Sequence, residues 1–198
     1  KPFERGYAVT IGNALRRTLL TALPGAAVTS VKINNVSHEF STIEVVAEDV
    51  CDIILNKKKI RFKMDGEATS ELIDFKVELE KGQLKAGELN KYLNEFNVIN
   101  KDLVLMTINK KTTLDIEMRV SRGKGYVTSD KNKRTDDTLG TIPIDSIFNP
   151  VLNVSWDVIP IPSSTEGHEK LIMEVETDGS NDAKDCINHA AKIICQHL

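Results

Sequence analysis

The sequence predicts an α+β protein: a discontinuous subdomain built from both chain ends around two amphipathic helices, with an inserted, mainly antiparallel β subdomain between them. Three observations predict it. Near the start, Ile11, Leu15, Leu19, Ala22 and Leu23 recur at helical spacing. At the end, Ala183, Ile187, Ala190, Ile194 and Leu198 do the same. Between them, Leu114, Ile116, Met118 and Val120 alternate with Asp115, Glu117 and Arg119. The first two patterns have the 3.6-residue period of a helix with one apolar face; the third has the two-residue period of a half-buried antiparallel strand. We place the terminal subdomain at 1–48 and 168–198 and the insert at 49–167. Insertions are tolerated where the host's ends lie close together.

The first helix is expected over 11–23, closed by Pro24-Gly25, because Pro cannot continue a helix and Gly suits the turn. At about 100° per residue, Arg17 projects opposite the apolar stripe and Arg16 sits at its edge. Residues 28–33 are rich in β-branched side chains and read as a strand, followed by a turn at Asn34-Asn35. Val46, Val50, Ile53 and Ile54 mark a second helix ahead of the basic run Lys57-Lys58-Lys59. Short strands follow at 60–63, 75–79, 103–108 and 114–120. The polar stretch 129–137 reads as a mobile loop. Residues 170–177 read as a strand, Asp178-Gly179 as a turn, and Asp182 as the N-cap of the last helix. Asp185, three residues on, is a short-armed version of the capping box. Cys186 and Ile193 widen that helix's apolar face.

The chain has 198 residues, 40% hydrophobic and 28% charged, enough for one large domain or two small ones with real cores. No window reaches the apolar length of a membrane span, so no membrane partner is expected. The chain opens at Lys1 without an initiator Met, as one lacking a trimmed leader or a first strand would. Its formal charge of −3 argues against nucleic-acid binding by most of the surface, since phosphate affinity comes from a basic excess. Cys186 and Cys195 stand about 13 Å apart along one helix, too far for a disulfide. The three cysteines without C-x-x-C spacing fit a reducing compartment and read as small apolar residues.

Candidate chemistry is sparse. His38-Glu39 has the composition of an acid/base pair, but neighbours on an extended chain point to opposite faces. His189, three residues after Cys186, makes a two-ligand edge without a third ligand. Arg122-Gly123-Lys124-Gly125 lacks the spacing of a phosphate-cradling loop, and its glycines suit a turn or bulge. No catalytic residue, metal, cofactor or small-molecule substrate is expected in this chain.

Four segments carry a resemblance. Glu4-Arg5-Gly6, then Thr10-Ile11-Gly12-Asn13-Ala14-Leu15-Arg16-Arg17-Thr18-Leu19-Leu20 and Pro24-Gly25, resembles the opening signature of the bacterial RNA polymerase alpha subunit. His38-Glu39-Phe40-Ser41-Thr42 with Glu48-Asp49 and Ile54-Leu55-Asn56, then Arg122-Gly123-Lys124-Gly125-Tyr126-Val127, then Lys170-Leu171 with Glu174, Thr177 and Gly179, agree in order and spacing. The resemblance spans nearly the whole chain.

It implies a non-catalytic, cytoplasmic (nucleoid-associated) assembly subunit of DNA-directed RNA polymerase, a nucleotidyltransferase whose chemistry resides in other subunits. It implies that the terminal subdomain dimerises and that the dimer carries the beta and beta-prime subunits. It also implies a missing first strand, and a missing linker and C-terminal domain, the part that touches promoter DNA. No direct DNA contact is therefore expected here. Composition alone equally allows the two helices to pack within one subunit; the resemblance favours a four-helix core across a two-fold axis, from Ile11, Leu15, Leu19, Leu23, Ala183, Ile187, Ala190, Ile194 and Leu198. Such interfaces bury on the order of 2,000 Å², at roughly 25 cal/mol per Å² before association costs. Docking of beta and beta-prime falls by resemblance to Arg16, Arg17, His38, Glu39, Ser41, Thr42 and Lys170. Arg suits that role because its planar fork makes paired hydrogen bonds. The family usually carries Arg where Asn153 stands, and basic residues in the loop at 161–167.

Overall fold

The computed structural model describes residues 2–34 and 36–197. Leu198, and Asn35 of the expected turn, lie outside them. The chain divides into two compact units, one from residues 1–24 and 149–198, the other from 25–148. The terminal subdomain is thus built from both ends, but the divisions fall at 24/25 and 148/149, not at 48/49 and 167/168. Strand pairing moves both boundaries. The strand after the first helix joins the sheet of the insert, and residues 151–160 zip onto the strand expected at 170–177.

In the terminal unit, α1 spans Tyr7–Thr21, four residues earlier at its start than the apolar spacing alone predicts. Gly6, at φ +89°, starts it in a left-handed conformation that favours glycine. The N–H of Ala22 closes it on the carbonyl of Thr18, and Pro24 opens the next strand instead of prolonging the turn. The other elements of this unit lie at the far end of the chain. A long antiparallel hairpin runs from 151–160 to 169–177, with a register shift between Val151 and Asn153. That irregularity breaks the alternation on which a sequence-based strand prediction depends, and 151–160 had no predicted element. The last helix covers Ala183–Gln196, and Asp182 caps it by accepting from the Lys184 N–H at 3.1 Å. Asp185 makes no reciprocal bond among the described residues; its arm is one methylene shorter than the glutamate of a capping box. Asp182→Ala is expected to lower this unit's stability by about 1 kcal/mol. Urea denaturation followed by the fluorescence of Trp156, the chain's one tryptophan, measures it.

The core of this unit is Leu15, Leu19, Leu23, Val151, Val154, Cys186 and Ala190. Gly12 seats α1 on the hairpin. A Cβ there would meet the indole of Trp156 at 2.9 Å and Leu171 at 3.1 Å. A glycine that weakens a helix interior by about 1 kcal/mol is kept because nothing larger fits.

The inserted unit begins with β1 (Pro24–Ile33), followed by α2 (Val50–Lys58), β2 (Phe62–Met64) and β3 (Ser70–Leu79). Then come β4 (Gly82–Lys85), a 3₁₀ turn at Ala86–Lys91, β5 (Phe96–Val98), β6 (Val104–Ile108) and β7 (Thr112–Lys124). It ends with β8 (Tyr126–Val127), α3 (Ser129–Asn132), β9 (Ile142–Pro143) and β10 (Ser146–Ile147). The hairpin strands of the terminal unit are accordingly β11 (Val151–Pro160) and β12 (Glu169–Thr177), and the last helix is α4. A sheet of order β3-β7-β1-β9 forms the centre, with β2–β5, β4–β6 and β8–β10 as antiparallel pairs. β3 and β7 pair in register from Ser70↔Ser121 to Leu79↔Thr112, so Leu114, Ile116, Met118 and Val120 all reach the core, as their alternation predicts. Gly125, at φ +61°, makes the turn between β7 and β8.

The stretch 129–137 is not the loose loop its polarity predicts. The Ser129 N–H donates to Asp145 at 2.7 Å, and the Asn132 amide donates to the Ile144 carbonyl at 2.6 Å. Asp137 pairs with Arg119 at 3.4 Å, both side chains largely covered. Ser129, Asn132 and Asp137 thus bind backbone and partner charges, which composition cannot distinguish from solvation.

Candidate subunit-docking surfaces

In the terminal unit, α1 and α4 pack on each other and on the hairpin. Leu15, Leu19, Leu23 and Ala190 are buried inside the unit and build its core. A helix with a broad apolar face covers its deepest row first, and the hairpin supplies that cover. Ile11, Ala183, Ile187 and Ile194 stay half-buried, and Leu20, Ala191 and Ile193 join them at the margin of the core. On the first turn of α1, Tyr7 is 60% exposed and Val9 is also exposed. An apolar face on both helices is thus left open to solvent.

The two arginines differ. Arg16 donates through Nε to the Val154 carbonyl at 3.3 Å, tying α1 to β11. Arg17 is exposed, and its guanidinium has no hydrogen-bond or ion-pair partner among the described residues. Lys170, opposite Ile159 in the hairpin register, is exposed. Asn153 is exposed beside the register shift of β11. The loop at 161–167 is closed by the Ile161 N–H on the His168 carbonyl and by a 2.7 Å bond between Ser164 Oγ and His168 Nδ1.

In the inserted unit, residues 38–41 form a turn. The Ser41 N–H donates to the His38 carbonyl, and Ser41 Oγ lies 3.3 Å from His38 Nδ1. This turn sits on the first turn of α2. The Ser41 carbonyl accepts from the Val50 N–H, and the Glu39 carbonyl accepts from the Cys51 thiol at 3.2 Å. Helix N-termini carry unpaired N–H groups, and here a neighbouring carbonyl satisfies one of them. His38, Glu39 and Thr42 are exposed, Ser41 less so, and Phe40 projects from the turn 79% exposed. Sequence reasoning passed over Phe40, since a single aromatic in a polar stretch has no periodic signal.

Other candidates disperse. Cys186 is buried while His189, on the same helix, is exposed, so they share no site. Burial, with Asp178, Asp182 and Asp185 adding to it, pushes the Cys186 thiol above its ordinary pKa, which makes it a poor nucleophile and a poor ligand. Arg122 turns inward, donating to the Gly66 carbonyl and lying 5.9 Å over the Phe96 ring. Lys57, read from sequence as one of a basic run, is 1% exposed in the core. The legible signal was its place in the stripe Val50, Ile53, Ile54, Lys57, which is the apolar face of α2.

The family described as the RNA polymerase Rpb3/RpoA insert domain matches residues 31–149, nearly the whole of the inserted unit. The DNA-directed RNA polymerase alpha subunit of Flavobacterium psychrophilum is 43% identical over 205 residues, and that of Salinibacter ruber is 45% identical over 199. The chain belongs to the bacterial RNA polymerase alpha-subunit family. The alpha subunit of Chlorobium chlorochromatii, 44% identical over 200 residues, agrees. Each of these alignments covers all of this chain and 60% of the relative's length. The alpha-subunit signature at the start of the sequence thus lies on α1. Its second segment lies on the turn at 38–41 and on α2, its third on β7 and β8, and its fourth on β12.

Proposed function

We propose that this chain is a non-catalytic assembly subunit of DNA-directed RNA polymerase, acting in the cytoplasm as part of the transcription complex. In this reading it pairs with a second copy through the open apolar face of α1 and α4, and it carries the beta and beta-prime subunits on its polar surfaces. The observation that supports this best is the division of α1. One side is sunk in the core, a second apolar row is half-covered, and the Arg17 guanidinium has no partner among the described residues.

Membership of the alpha-subunit family supports reading these features as follows. Tyr7, Ile11, Ile187, Ile194 and neighbouring small residues form the dimer face; Leu15, Leu19, Leu23 and Ala190 support it from beneath. Arg17 and Lys170 in the terminal unit, and His38, Glu39, Ser41, Thr42 and Phe40 in the inserted unit, form the docking surfaces. Arg16 orients α1 through its bond to Val154 and contributes less to docking. A guanidinium without internal partners keeps all five donors for a carboxylate or carbonyl of a larger neighbour.

Co-purification with the beta subunit tests this. Arg17→Ala is expected to weaken recovery of beta by about 2 kcal/mol, roughly thirtyfold in affinity, while the protein remains dimeric in analytical ultracentrifugation. Wild-type recovery of beta by the variant would remove Arg17 from docking. A wild-type protein that sediments as a monomer at all concentrations would remove the dimer.

A further inference from the structure

We propose that Lys57 is a proton-operated latch on the last turn of α2, held inside the core as a neutral amine and released with that turn when it takes up a proton.

The placement is unusual for a lysine. Val50, Ile53, Ile54 and Lys57 are the buried residues of α2, and Lys57 is among the largest fully buried side chains of the chain. Its Nζ has no hydrogen-bond partner among the described residues. A buried ammonium without a counter-ion is far costlier than a buried neutral amine, so the core selects the unprotonated form. Desolvation alone accounts for the lowering of its pKa from 10.5 to about 7.

The charged groups nearby are committed elsewhere. Glu48, at the entry to α2, accepts from the N–H and hydroxyl of Thr107 at 2.7 and 2.8 Å. Lys58 pairs with Asp145 at 3.6 Å, and Lys59 donates to Asn56. Asp52 is exposed, and β6, the strand against which α2 packs, carries no titratable residue. Among the described residues no carboxylate is therefore in place to keep a proton on Lys57 inside.

The exit route is short. Lys57 lies one residue from the end of α2, where the chain is held by the Lys59 N–H on the Asn56 carbonyl, the Ile60 N–H on the Lys57 carbonyl, and the side-chain amides of Asn100 on the Lys59 carbonyl and Asn56 on the Leu105 carbonyl. Terminal turns open at lower cost than whole elements. Opening this turn lets the four-carbon stem carry the ammonium to water. It also draws Lys58 away from Asp145, the carboxylate that holds Ser129 and the start of α3.

Amide hydrogen exchange by NMR, on the full chain across neutral to alkaline pH, tests the latch. After correction for intrinsic exchange, the opening constant at residues 58–60 is expected to fall by up to about tenfold per pH unit above neutrality. In Lys57→Met the same amides are expected to show no such dependence, and in the wild type they are expected to open far more readily than the β7 amides, which exchange only when the whole unit opens. Equal pH dependence in wild type and Lys57→Met overturns the proposal, as does an opening constant at residues 58–60 no larger than that of β7, which would leave global unfolding as the route by which Lys57 meets water. Titration of the Lys57 Cε carbon gives a second measure. A midpoint near neutrality supports the latch, and an ordinary lysine midpoint with the turn still protected overturns it.

Discussion

Replacing Lys57 by Met is expected to raise the stability of the inserted unit by about 4 kcal/mol at neutral pH, a large effect for a single substitution. The reason is linkage. The lysine's pKa is lowered from 10.5 in the open chain to about 7 in the fold. The unfolded chain therefore binds the proton more tightly than the native state does. Stability must rise with pH wherever the two differ in protonation, here between about 7 and 10.5, at up to 1.36 kcal/mol per unit. Below about pH 7 the full penalty is present in the wild type, and above about 10.5 it is gone. Methionine is close in length and suits the same buried position without a charge. Urea denaturation over this pH range is the measurement. The wild-type curve should climb and then level, while the contribution of this site should be absent from the variant. Equal stabilities at neutral pH would mean that Lys57 reaches water or a partner in the native protein.

Gly25→Ala is expected to destabilise the inserted unit by about 3 kcal/mol or more, beyond the ordinary cost of overpacking. The chain enters this unit at Gly25 and leaves it at Phe148. A Cβ on Gly25 would lie 1.6 Å from the Phe148 carbonyl oxygen and 2.8 Å from its carbon. Those atoms are backbone and cannot rotate aside, so the first residues of β1 would have to move off the returning chain. Gly123→Ala makes the informative comparison. Its Cβ would meet the Phe148 ring at 2.6 Å, but a ring can turn where a carbonyl cannot. It is therefore expected to cost less than Gly25→Ala in the same denaturation experiment. Equal losses would place the constraint in the packing of Phe148 rather than in the approach of two backbones.

Pro24-Gly25 shows how a correct local reading can have a second cause. The pair was read as the stop of α1, and α1 does end just before it. The glycine, however, answers to Phe148, more than a hundred residues away in the chain. Leu19 and Leu23 show the same limit on the candidate site. Their spacing correctly put them on the apolar face of a helix, but spacing does not say what covers that face. β11 and α4 cover it within the unit, while the shallower Ile11, Ile187 and Ile194 stay half-buried. Arg17 was legible because its angle around the helix is a local property. That Arg16, one residue away, would be engaged by Val154 was not.

By itself the sequence determined the α+β class, the two terminal helices, the central alternating strand, the cap at Asp182 and the family. Each of these depends on residues a few positions apart, or on strings of identity that survive without a structure. Only the tertiary structure decided where the insert begins and ends, which strand pairs with 151–160, which leucines are core, and that Lys57 is inside while Lys58 and Lys59 are not. Those outcomes depend on contacts between segments distant in the chain, and hydrophobic burial is non-directional: a side chain's period fixes which way it faces, but not what it meets there.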